Sequence, residues 1–144
     1  LVDNCQASAK KITFSSIKSG VDALKKEIGL VKIGEDTYEQ SLQEVDAATN
    51  VLKITTIFSN LKNSKESIME FGLKDINPKN ILLKTSGKKA MVELNTKHLE
   101  KIIKTYVDGE IKSYSNKIVI EAKDIENARS IAAIVKEITE KLTN

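Results

Sequence analysis

The sequence has no tryptophan, and one residue each of cysteine, proline, histidine and arginine. Each scarcity excludes something. Aromatic residues make up only 4% of the chain, so the core has to be built from Ile, Leu and Val. Single-stranded nucleic-acid binding draws on exposed aromatics, and base reading draws on arginine; both are nearly missing. The basic residues are almost all lysine. Lys84, Lys88 and Lys89 could gather with Lys97, Lys101 and Lys104 into the basic patch of a nucleic-acid binder. Lysines that guard exposed strand edges explain the same pattern more simply, so nucleic acid is disfavoured as a partner. The single thiol, Cys5, cannot close an internal disulfide. One His and one Cys are too few for a typical zinc site. A Ser-His-Asp or Cys-His set would have to use His98, which lies beside Lys97 with no nucleophile motif around it and reads as a surface residue. No Gly-x-Ser-x-Gly, P-loop or dinucleotide fingerprint is present. Thr85-Ser86-Gly87-Lys88-Lys89 has the flavour of a phosphate loop but is better read as a hairpin turn. Neither a metal nor any other cofactor is indicated. No apolar run approaches the roughly 20 residues that a membrane helix needs.

What is present is an ordinary folding balance: 40% hydrophobic and 30% charged residues, with lysines and glutamates interspersed at a net charge of +3. That is a solvated surface pattern. A chain of 144 residues suffices for one domain that buries about two-thirds of its extended surface. Residues 1–12 are polar, aperiodic and expected to be loose, leaving 13–144 as a single domain. The chain opens on Leu1, as expected of an exported protein whose leader has been removed or of a chain beginning inside a longer protein. An acyl chain on Cys5 is disfavoured, because Val2-Asp3-Asn4 lacks the small residue such processing wants before the cysteine.

Two helices are expected. In the C-terminal one, Asp124 can cap the start. Ala128, Ile131, Val135, Ile138 and Leu142 then step by three and four along one face, widened by Ala132 and Ile134. Near the N-terminus, Ile17, Val21, Leu24 and Ile28 give a second stripe over 14–28, with Ser16 or Ser19 as cap and Gly29 as the stop. Between them the period shortens to that of strands. Leu30–Ile33 reads as an edge segment, 37–45, 51–58 and 66–73 as strands, and Asp75-Ile76-Asn77-Pro78 as a corner, since Pro78 fixes its own φ and removes a donor. A hairpin over 80–96 turns at Gly87, pairing Thr85 with Ala90, Leu83 with Val92 and Ile81 with Leu94. A second, over 99–122, turns at Asp108-Gly109, pairing Val107 with Glu110, Tyr106 with Ile111 and Ile103 with Tyr114. Leu99, Ile103, Val107, Tyr114, Ile118 and Ile120 then form the face expected under the closing helix. The class is α+β: an antiparallel meander of about seven strands closed by an amphipathic C-terminal helix, with an added N-terminal helix.

A strand meander closed by one amphipathic helix resembles the pleckstrin-homology-like superfold over roughly residues 36–143. Two features depart from it. The closing helix has no tryptophan, and the loop Glu44–Asn50, where phosphoinositide binders place basic residues, carries Glu44 and Asp46 instead. The stretch from Leu73-Lys74-Asp75-Ile76-Asn77-Pro78 to the closing helix also looks like small exported bacterial proteins of unknown function.

Ile102, Tyr106, Ile111 and Val119 fall on the second face of the last hairpin. Apolar residues there need a cover, and a partner protein is one possible cover. The function expected is thus a non-enzymatic binding or structural domain with a protein partner and no catalytic residues. The alternative is a small apolar-ligand or lipid-binding domain, with a pocket between a curled sheet and its helix. A carboxylate enzyme is a third, weaker reading, and requires two Asp or Glu side chains converging in a cleft.

Overall fold

In the computed structural model, residues 13–143 are described. The segment expected to be loose, 1–12 with Cys5, lies outside the described residues. The elements run α1 (Ile17–Glu27), β1 (Val31–Ile33), β2 (Asp36–Asp46), β3 (Val51–Ser59), β4 (Ser64–Gly72), β5 (Ile76–Ser86), β6 (Lys89–Thr96), β7 (Lys104–Val107), β8 (Glu110–Ile111), β9 (Lys117–Ala122) and α2 (Ile125–Thr143), with short 3-10 turns at Leu73–Asp75 and Lys97–Leu99. The class is α+β; among the described residues every strand pair is antiparallel and there is no closed barrel.

The nine strands of the described residues form two sheets rather than one meander. One has the order β1-β2-β3-β4-β7-β8, the other β5-β6-β9. The chain leaves the first sheet for the β5–β6 hairpin, returns for β7 and β8, and crosses back for β9. Pro78 sits inside the span of β5, where a corner was expected. The ladder to β6 nevertheless jumps from Ile76 to Ile81. That break accommodates a residue without an N–H.

The first hairpin has the expected register throughout. The second keeps its turn pairs, Tyr106 with Ile111 and Val107 with Glu110, and then departs. Ile103 faces Ser115 rather than Tyr114, and the returning chain pairs with β6. The face expected beneath the closing helix is therefore split. Ile103, Ile118 and Ile120 are buried, but Leu99 and Tyr114 are 54% and 45% exposed. Helix α2 lies chiefly on β5 and β6 and against α1.

Both helices start as their sequences dictate. Ser16 Oγ accepts from Ser19 N–H at 3.1 Å while Ser16 N–H donates to Ser19 Oγ, a reciprocal cap. Asp124 Oδ1 accepts from Asn127 N–H at 2.7 Å. Helix α1 ends at Ile28 in an extended conformation, just before Gly29, the expected stop, which does not take a positive φ. In α2 the stripe Ala128, Ile131, Val135 and Ile138 is buried, as are Ala132, Ala133, Ile134 and Thr139. The middle of this helix is wrapped nearly all round because a sheet and α1 both cover it. Gly20 of α1 makes that approach possible, since a Cβ there would overlap Ile138 Cγ2. The core joins these helices to Leu42, Leu52, Ile54 and Phe71 of the first sheet and Val92, Leu94, Ile118 and Ile120 of the second. Among the described residues no helix is long and apolar enough to cross a membrane.

Candidate functional site: a cleft between the two sheets

Alternation along β2, β3 and β4 sets every second residue on the inner face of the first sheet. Three cross-strand rows result: Tyr38, Phe58 and Lys65; Gln40, Thr56 and Ser67; Leu42, Ile54 and Met69. Leu42 is in the core. The other eight side chains form one wall of a cleft of about 350 Å³, and Ile118, Val119 and Glu121 of β9 form the other. The volume lies at the lower end of small-molecule pockets.

Gln40 ties the two walls together. It is only 8% exposed. Its Nε2 donates to Glu121 O at 2.9 Å and to Gly29 O at 3.1 Å, and its Oε1 accepts from Glu121 N–H at 2.8 Å. The carboxamide thus stands in for a neighbouring strand and satisfies the backbone of Glu121 on the open edge of β9.

The charged groups lie toward the Tyr38 end. Lys89 Nζ donates to Tyr38 Oη at 3.1 Å and sits 5.0 Å from the centre of that ring, which is tilted by 50° against Phe58 at 5.1 Å. Glu121 Oε1 is 3.7 Å from Lys89 Nζ, an ion pair too long for a hydrogen bond. That oxygen is buried without any hydrogen-bond partner. Burial pushes the Glu121 carboxyl above its ordinary range against the opposing charge of Lys89. The hydrogen bond to Tyr38, followed by the charge of Glu121, holds Lys89 above its own. Lys65 is exposed and makes no ion pair with a described residue. The cleft therefore combines an apolar body of Ile54, Phe58, Met69 and Ile118 with a few polar groups at fixed places. Glu121 is the one carboxylate in its lining; a second carboxylate converging on it, as an acid–base pair needs, is not in the lining.

The residues singled out from the sequence are divided by the fold. Tyr106 and Ile111 are direct cross-strand partners beside Ile68, on the face of the first sheet opposite the cleft. Ile111 is 57% exposed and Ile102, just before β7, is 41% exposed; Tyr106 is half-buried. Val119 lies in the other sheet and lines the cleft. Sequence reading places Tyr38, Ile54 and Met69 on strands and Lys89 in a hairpin turn and a candidate basic patch, but does not single out Gln40 or Glu121 or bring the three together, because their meeting depends on β9 crossing between sheets. The signal within reach was the alternation of β2 through β4, which already gathers their inner face. Comparison with protein-family models, with curated proteins and with solved structures finds no match for this chain.

Proposed function

We propose that this is a binding domain whose cleft between the sheets takes a small, largely apolar molecule. The observation that carries the reading is the cleft of about 350 Å³, walled largely by aliphatic and aromatic side chains, with Glu121 Oε1 in its lining buried without a hydrogen bond and held only by the long ion pair to Lys89. An unsatisfied buried acceptor costs free energy, and a perturbed carboxyl in a cleft is a pointer to a functional site. The order of elements, strands and then a closing helix, is the one feature that supports a likeness to the pleckstrin-homology-like superfold.

Native mass spectrometry of the protein from its source cells tests the reading. A small-molecule adduct is expected, and Thr56→Trp, whose indole would fill the cleft, should lose it while keeping the circular dichroism spectrum. No adduct on the native protein, or one retained in the filled variant, would count against the cleft.

A second reading, docking of a partner protein, rests on the exposed apolar residues Ile102 and Ile111 beside Tyr106. Ile111→Lys should then abolish retention of a co-purifying protein without changing the unfolding midpoint. Undiminished retention would contradict that reading.

A further inference from the structure

Strand β9 is one of the two edges of the second sheet, and its outward backbone groups are disposed of one by one. In an antiparallel ladder, successive residues direct their N–H and C=O alternately to the partner strand and away from it. Three observations fix the parity. Thr96 N–H donates to Asn116 O on the β6 side. The backbone of Ser115 is bonded to Ile103 on the opposite side. Glu121 turns both its groups to Gln40. Residues 117, 119 and 121 therefore face outward. Two of the three are capped by side chains. Ser115 Oγ donates to Lys117 O at 3.0 Å and accepts from Lys117 N–H at 3.2 Å, and the Gln40 carboxamide does the same for Glu121. Between these two plugs, the N–H and C=O of Val119 have no partner among the described residues. Both Val119 and Gln40, which is bonded to this edge, line the cleft, so the free pair borders it.

We propose that the backbone of Val119 is the polar recognition element of the cleft, and that its ligand is a small flat molecule with a hydrogen-bond donor and acceptor side by side, the edge of a lactam or imide. This rests on the cleft being a binding site. The plugs explain why a small molecule fits better than an added peptide strand. Strand addition needs a run of open backbone groups, and here one residue is open. Apolar and aromatic surface from Ile54, Phe58, Met69 and Ile118 would then hold the flat body of the ligand.

The test uses 2-quinolone, which carries such an edge, and 1-methyl-2-quinolone, which keeps the ring and the carbonyl but lacks the donor. Each is titrated into uniformly labelled protein by nuclear magnetic resonance. The expected result is that 2-quinolone moves the Val119 amide proton downfield together with the Ile54 and Met69 methyl signals, and binds about fivefold or more tightly than its methylated form. Equal binding of both compounds with the cleft methyls shifted and the Val119 amide unmoved would overturn the role of Val119 and leave the cleft standing. Neither compound shifting any cleft signal would overturn both.

Discussion

Replacing Gln40 tests how the two walls of the cleft are held. The side chain makes three hydrogen bonds to the backbone, two to Glu121 and one to Gly29. Gln40→Met keeps the length and apolar stem and removes all three. At about 1 kcal/mol net for each bond, the expected loss is about 3 kcal/mol. That is a large share of the ~5–15 kcal/mol that stabilises a typical domain. Gln40→Glu should do no better. Its carboxylate can still accept from Glu121 N–H, but it faces the carbonyl oxygens of Glu121 and Gly29 with no proton to give. Urea unfolding followed by circular dichroism measures the loss, and hydrogen exchange at the Glu121 amide should accelerate in both variants. If Gln40→Met lowers stability by less than about 0.5 kcal/mol, the range of an ordinary surface substitution, the carboxamide is not the clamp described.

Two further outcomes follow from the same geometry. Gly20→Ala would gain about 1 kcal/mol of helix propensity at an open site, but its Cβ would collide with Ile138 Cγ2 and come within 3.3 Å of Phe14 Cδ2; overpacking costs about 1–3 kcal/mol, so the unfolding midpoint should fall, and a rise would show that the helices part easily. Glu121→Gln should stabilise the fold at pH 7. The folded carboxyl is raised above its usual value of 4.5, so the native state binds the proton more tightly and ionisation at higher pH weakens the fold; the advantage of the variant should shrink as pH falls through the raised pKa and vanish below 4.5. A variant less stable at pH 7 would mean that the attraction of Lys89 outweighs the cost of burial.

The parts of the fold legible in the sequence were those decided locally. Gly87 and Asp108-Gly109 take positive φ, as tight turns demand, and the registers beside them follow from counting outward. The stripe of α2 and its Asp124 cap were equally plain. What the sequence concealed was the partner of each strand. The pattern Ile118, Ile120, Ala122 announces one buried face but not the sheet that will use it; counting outward from Asp108-Gly109 continues one hairpin over 99–122, whereas the fold pairs β9 with β6. That count groups Val119 with Tyr106 and Ile111, although the fold sends it to the cleft. Gln40 is hidden in the sequence for another reason. A glutamine among polar neighbours on a strand reads as solvated, and only the arrival of the β9 edge 81 residues later gives its carboxamide something to bind.

The most direct measurement is a titration of methyl-labelled protein with toluene, an apolar probe with no hydrogen-bonding group, by nuclear magnetic resonance. It sets the cleft against the outer patch in one experiment. The account predicts saturable shifts at the methyls of Ile54, Met69 and Ile118, with those of Ile102 and Ile111 unmoved. Saturable shifts confined to the outer residues, or no saturable shift at the cleft, would contradict it.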